Sequence, residues 1–376
     1  MQVQRSLLIC LTTIILCACN LTNVRDQDSY PTSHPDSTLS QSAVRTTIES
    51  GSHTVPEDTG PVSDYISGNE IVAAGKDTDD LWQKIRQGLS LSRQTEKRSV
   101  QGKIAWYARN QDYIDRVAER AAPYLYYIIG EIEKRNMPIE LALLPVVESA
   151  YQPFAYSPSR ASGIWQFISS TGKQYGLKQN WWYDGRRDII AATDAALNYL
   201  QKLHKEFDGN WQHALAAYNS GERNVGRAIR RNRKAGKPID FWSLRLPRET
   251  RGYVPSLLAV AEIVANPAKH NITLKKIPNE PYFTAVNTGS QIDLATAARL
   301  AGQSMDDIYT LNPGFNRWAT DPKGPHRLLI PIGKAQQFKQ DLAQLPVSER
   351  ITWKQHKIQK GETLGQIADR YHTSVA

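Results

Sequence analysis

Glu148 is the side chain in this 376-residue sequence best placed for proton-transfer chemistry. It follows the apolar run Met137-Pro138-Ile139-Glu140-Leu141-Ala142-Leu143-Leu144-Pro145-Val146-Val147, which reads as a short helix with Pro138 suited to its first turn. Leu141, Leu144 and Pro145 then share a helical face with Glu148, at i, i+3, i+4 and i+7. A carboxylate on such a face loses hydration, which disfavours its charged form and raises its pKa. An acid that keeps its proton at neutral pH can act as a general acid. Two further motifs follow: Gly163-Ile164-Trp165-Gln166-Phe167, then Ala217-Tyr218-Asn219-Ser220-Gly221. Asp184 and Asp188 are carboxylates that could in principle assist, but Asp184-Gly185 reads as a turn, and Asp188 as the cap of a helix starting at Ile189.

Helices must position these groups. Leu81, Ile85 and Leu89 form one apolar stripe, and Tyr124, Tyr127, Ile128 and Ile132 form another. A strong helix is predicted from Ile189 to Phe207, with Ala192, Ala195, Ala196, Tyr199, Leu200 and Leu203 facing inward and Asp208-Gly209 ending it. Shorter helices are predicted for Trp211 to Tyr218 and for Tyr253 to Val264, the latter closed by Asn266-Pro267. The block is mainly α and large enough for a real core. Beyond about residue 275 the pattern changes: β-like runs, Tyr282 to Val286 and Leu328 to Ile332, flank helical pieces at Leu294 to Leu300 and Met305 to Leu311. That βααβ order starts again at Lys357-Ile358-Gln359-Lys360-Gly361-Glu362-Thr363-Leu364 and stops, as expected of a fragment or a truncated product.

The N-terminus reads as an export leader. Arg5 precedes an apolar run from Leu7 to Leu16, too short for a membrane span of roughly 20 residues. Leu16-Cys17-Ala18-Cys19 forms a lipobox in which Cys19, preceded by small Ala18, is the residue expected to carry lipid. Every cysteine lies at or before position 19, so the mature chain is expected to hold neither a disulfide nor a cysteine metal site. Asn20 in second place fits sorting to the outer membrane. Residues 19–78 are rich in Ser, Thr, Asp, Pro and Gly and read as a disordered tether. Its random-coil span is roughly 40 Å.

Lys and Arg number 46 against 37 Asp and Glu, a net charge of +9. Such an excess suits a polyanion, and for an exported lipoprotein the acidic polymer outside the membrane is peptidoglycan, not nucleic acid. The basic run from Arg227 to Lys237 reads most simply as a solvated helix end and loop. Neither a phosphate-cradling glycine loop nor a metal-ligand cluster is evident, so no cofactor and no metal are expected.

Glu148-Ser149, Gly163 to Phe167 and Ala217 to Gly221 with Glu222 resemble, in order and spacing, the soluble-lytic-transglycosylase-like family with its goose-type lysozyme fold. Ser170-Thr171-Gly172, Tyr175-Gly176-Leu177, Asp184 to Asp188, and Phe241-Trp242-Ser243-Leu244 with Glu249-Thr250 resemble a membrane-bound branch of that family. The resemblance covers roughly residues 80 to 375 and implies an α+β lysozyme-like catalytic domain. It implies cleavage of the β-1,4 bond between N-acetylmuramic acid and N-acetylglucosamine, with formation of 1,6-anhydromuramic acid and no net hydrolysis. Glu148 would act first as acid and then as base. Ser149, Ser157, Gln166, Tyr218, Asn219 and Tyr253 match family positions that contact the acid or the substrate. Trp165 and Phe167 read as packing. Two departures, Arg160-Ala161-Ser162 before Gly163 and Arg223 after Glu222, concern loop shape.

The organisation expected is therefore a leader at 1–18, a tether at 19–78, a catalytic domain at 79–275, a degenerate LysM-like domain at 276–345 and an incomplete LysM module at 352–376. The expected protein is a monomer anchored through Cys19 to the periplasmic face of the outer membrane and bound to peptidoglycan glycan strands. The competing expectations are a hydrolytic muramidase and a non-catalytic peptidoglycan-binding lipoprotein.

Overall fold

The computed structural model describes residues 78–351 and 356–370. The leader, Cys19 and nearly all of the expected tether lie outside the described residues. Among the described residues, no helix is long and apolar enough to cross a membrane.

The chain is mainly helical, as its periodicity predicts. The first four helices among the described residues are α1 (Leu81–Gly88), α2 (Arg98–Ala108), α3 (Gln111–Ala121) and α4 (Leu125–Lys134). Leu81, Ile85, Tyr124, Ile128 and Ile132 from the two predicted stripes are all buried. The segment before Glu148 differs from the single helix expected. Ile139–Leu143 is a 3₁₀ turn, and an α-helix, α5, follows over Leu144–Ser149. Pro145 explains the break: it has no N–H to give back along an α-helix, so it is tolerated only in the first turn of a new one. Leu144 N–H bonds to Leu141 O, three residues back, in the tighter 3₁₀ pattern. Pro138 precedes the 3₁₀ turn instead of starting an α-helix. Glu140 is fully buried there, and its carboxylate accepts the Ser90 and Leu91 N–H groups at 2.6 Å each, fixing the chain after α1 onto this turn.

After α6 (Ser169–Gln174) come α7 (Ile189–Glu206), α8 (Trp211–Ser220), α9 (Glu222–Lys234) and α10 (Arg248–Ala265). All six inward residues expected of α7 are buried, and Asp188 caps it by accepting Ala191 N–H at 2.7 Å. α10 begins five residues before its predicted start, at Arg248 and not Tyr253. Pro247 starts it, because its fixed φ suits a helix entrance. α10 is the central element: it packs on α1, α2, α5 and α8, while α7 packs on α4 and α8.

The βααβ order is present: β1 (Phe283–Asn287), α11 (Leu294–Ala301), α12 (Met305–Leu311) and β2 (Arg327–Pro331). The strands pair antiparallel, from Phe283 opposite Pro331 to Asn287 opposite Arg327. A further helix, α13 (Ile332–Gln344), covers them and buries Phe338. The last helix among the described residues is α14 (Leu364–Arg370). Lys357 to Lys360, expected as a first strand, forms none; a strand needs a partner for its backbone groups, and among the described residues it has none.

Candidate active site

Glu148 occupies the last turn of α5, which Ala150 and Tyr151 end with positive φ values of 51° and 58°. Their N–H groups bond back to Val146 O and Pro145 O, closing the helix. The Tyr151 ring is fully buried and its hydroxyl donates to Ala142 O at 2.5 Å, so the end of α5 is pinned to the 3₁₀ turn. Near a helix C-terminus, unpaired carbonyls disfavour a negative charge.

The three motifs converge on this end. Ser149 Oγ donates to Ile164 O at 3.0 Å and to Pro145 O at 3.2 Å, joining the first motif to the second. Tyr218 hydroxyl donates to Trp165 O at 2.9 Å, joining the second to the third. Tyr253, on α10, donates its hydroxyl to Glu148 Oε1 in a short hydrogen bond. The second motif is a tight loop built around Gly163, whose φ is +80° and where an added Cβ would lie 2.1 Å from Arg186 O. Only glycine fits there. Trp165 is fully buried, with its indole N–H on Thr193 Oγ1 at 3.0 Å, and Phe167 is buried beside it.

Glu148 remains partly accessible, while its carboxylate is desolvated by the atoms packed around it. Burial pushes its pKa up to about 8. The Tyr253 hydrogen bond opposes that rise, and the negative charge of Glu249 adds to it. Burial, followed by the charge on Glu148, holds the Tyr218 and Tyr253 phenols well above their ordinary pKa. Both therefore stay protonated donors. The arrangement can deliver a proton from Glu148 at neutral pH and then hold the resulting carboxylate through Tyr253.

The remaining expected site residues have local partners. Ser157 Oγ accepts Ala161 N–H at 3.0 Å, shaping the loop between Tyr156 and Ser162. Gln166 has a φ of 49°, and its amide donates to Gly163 O at 2.8 Å and Ala155 O at 3.4 Å, bracing the second motif. Asn219 accepts Thr250 Oγ1–H at 2.8 Å and donates to Glu249 Oε1 at 3.4 Å. The hydroxyls of Ser149 and Ser157 are thus engaged with backbone, whereas Tyr253 contacts the acid directly.

Sequence reasoning missed Glu249 as a neighbour of the acid. It precedes Tyr253 by four residues, so the two share a face of α10 once that helix starts at Arg248. The signal was Pro247, a helix-entry residue. Asp184 and Asp188 are engaged elsewhere: Asp184 grips Arg186 at 2.7 and 2.9 Å, and Asp188 pairs with Arg327 at 2.6 Å while capping α7. No group of three or more His, Cys, Asp or Glu among the described residues could hold a metal ion.

Residues 126–241 match the transglycosylase SLT domain, and residues 282–347 match the LysM-like domain of lytic transglycosylase MltD. The chain is 40% identical over 309 residues to the membrane-bound lytic murein transglycosylase D of Escherichia coli (strain K12), covering 78% of this chain and 67% of that protein. It is 52% identical over 122 residues to a tributyltin chloride resistance protein of Alteromonas sp. (strain M-1), covering 32% of this chain and 59% of that one. Among solved structures, the 70 kDa soluble lytic transglycosylase of Escherichia coli shares 22% identity with a TM-score of 0.32, covering 50% of this chain and 32% of that chain. With its SLT domain, its LysM-like domain and 40% identity across 67% of the Escherichia coli enzyme, this chain belongs to the membrane-bound lytic murein transglycosylase D family.

Proposed function

We propose that this lytic transglycosylase cleaves the β-1,4 bond between N-acetylmuramic acid and N-acetylglucosamine in peptidoglycan, with Glu148 as acid and then base. The observation that carries the reading is a desolvated carboxyl, its pKa pushed up to about 8, held by a tyrosine hydroxyl at the meeting point of three motifs. In the first step the C1–O bond of the muramoyl residue breaks, its electron pair stays on the departing oxygen, and the Glu148 proton neutralises that oxygen. In the second, the muramoyl C6 hydroxyl oxygen bonds to C1, closing the 1,6-anhydro ring, and its proton goes to the Glu148 carboxylate. The acid is restored and no water is consumed. Desolvation assists both halves, because a carboxylate that resists ionisation also recaptures a proton readily. The Tyr253 hydroxyl supports the charged interval between them.

Most glycosidases need a second carboxylate. Glu249 is the observation that keeps a hydrolytic muramidase in view, since its charge reaches Glu148, although it is exposed and bonded to Asn219. In the transglycosylase reading the sugar supplies its own nucleophile, and Glu249 serves to keep Glu148 protonated. Ser149, Ser157, Gln166, Tyr218 and Asn219 then shape the cleft wall around the strand.

The same proposal places the catalytic unit at 79–275, a LysM-like unit at 276–345, and a lipid anchor at Cys19 that holds the enzyme to the periplasmic face of the outer membrane. The word membrane-bound in the name of the Escherichia coli relative supports that location. Glu148→Gln tests the assignment. The expected protein folds and sediments with murein but releases no soluble muropeptides; a wild-type rate of release would remove Glu148 from the mechanism.

A further inference from the structure

The segment after the second motif carries two adjacent tryptophans, Trp181 and Trp182, that meet Trp318 from the chain between α12 and β2. Ring centroids lie 4.6 Å apart for Trp181 and Trp182, 5.6 Å for Trp181 and Trp318, and 5.4 Å for Trp182 and Trp318. The Trp181 ring stands edge-on to both neighbours, at interplanar angles of 89° and 81°. Its orientation is therefore set by packing, yet the residue remains 51% exposed. The Arg317 guanidinium lies 4.1 Å from the Trp181 ring centroid, over the ring. A half-exposed indole whose orientation is fixed by two neighbouring rings offers a flat surface that a ligand ring can stack on.

The Trp181 segment is also tied to the chain that follows Glu148. Asn316, next to Arg317, accepts a hydrogen bond from Arg187. The Arg187 guanidinium lies 5.8 Å from the centroid of the Phe154 ring, six residues beyond Glu148 in the chain. The backbone beneath this row is locked: Asn316 N–H bonds to Trp182 O and Asp184 N–H to Gly314 O, both at 2.8 Å. Tyr183 is buried in the core of the βααβ unit, and Asn180 donates to Asp321 at 2.6 Å. Arg186, gripped by Asp184, reaches Arg160 O and Phe167 O, so the tryptophan-bearing segment and the second motif move together.

We propose that Trp181, with the Arg317 guanidinium over its ring, is a platform for the peptidoglycan strand outside the cleavage site. The inference rests on the reading of the chain as a murein-cleaving enzyme. A β-1,4-linked amino-sugar chair presents axial C–H groups with slight positive charge, and these suit the negative face of an indole ring. The peptide stems carry carboxylates, which suit guanidinium groups. A strand is long, and a rigid contact away from the scissile bond orients it at little entropic cost.

Co-sedimentation of the Glu148→Gln protein with purified murein sacculi tests this without turnover. Adding Trp181→Ala is expected to weaken binding about tenfold, in line with the loss of one aromatic stack, with Trp181→Tyr recovering most of it. Unchanged binding in the alanine variant, or equal losses in the alanine and tyrosine variants, overturns the platform. If the alanine variant fails to fold, iodide quenching of tryptophan fluorescence in the Glu148→Gln protein replaces it. Bound soluble glycan strands should shield the indole, and quenching unaltered by saturating strands overturns the proposal. These are binding measurements, so a wrong assignment of Glu148 chemistry leaves them readable.

Discussion

Glu148→Gln should change how stability depends on pH, because a carboxyl with a pKa raised from 4.5 to about 8 binds its proton more tightly when folded than when unfolded. Between those two values the folded state holds more protons, so raising the pH costs folding free energy. The sign is opposite to that of a salt-bridged carboxylate. Below about pH 4.5 both states are protonated and the penalty vanishes; above about pH 8 it is complete. With 1.36 kcal/mol per pKa unit, the full penalty approaches about 5 kcal/mol, of which about 4 kcal/mol develops between pH 5 and pH 9. Glutamine keeps the shape and can still accept the Tyr253 hydrogen bond, but it does not titrate. Urea unfolding of both proteins, followed by tryptophan fluorescence at several pH values, measures the difference while common titrations cancel. Glu148→Gln should become more stable relative to wild type as pH rises. A difference constant to within about 0.5 kcal/mol across that range would refute the raised pKa and, with it, the general-acid argument.

Other outcomes follow from the same geometry. The wild-type cleavage rate should hold at neutral pH and fall as pH climbs through about 8, because the acid loses its proton there; steady-state turbidity loss of sacculi measures it. Tyr253→Phe removes a donor to the charged form, so that falling limb should move to higher pH, with the rate down about tenfold or more in the same assay. Gly163→Ala forces a side chain into the Arg186 carbonyl at positive φ, and thermal unfolding should show a loss of about 2 kcal/mol or more. Asp188→Ala removes the α7 cap and leaves Arg327 without its partner, a loss of roughly 3 kcal/mol in chemical unfolding.

Much of the fold was legible because apolar periodicity reports burial directly. α7 shows this well: its inward residues, its Asp188 cap and its Asp208-Gly209 stop follow local rules that the surroundings do not override. The βααβ order was legible for a similar reason, since two β-like runs flanking two short helices leave little else for the strands to pair with. The segment before Glu148 was harder. Pro145 could belong to the middle of an apolar run or to the first turn of a new helix, and only the backbone geometry distinguishes them. The start of α10 was missed because Arg248 and Glu249 carry no apolar signal, and this hid the neighbour of the acid. The platform at Trp181 was not legible at all. It depends on Trp318, 137 residues away in sequence, and no local pattern encodes that meeting.

The roles of the serines show another limit. A hydroxyl near a catalytic carboxylate can face the substrate or the backbone, and residue type does not decide between them. Ser149 joins two motifs through Ile164 O, which makes it a strut for the site.

Mass analysis of murein digested in water enriched in heavy oxygen tests the central claim most directly. 1,6-Anhydromuropeptides without solvent oxygen at the cleaved end are expected, because the C6 hydroxyl closes the ring and Glu148 takes back its proton. Reducing-end muramic acid carrying the heavy oxygen would contradict it and point to hydrolysis.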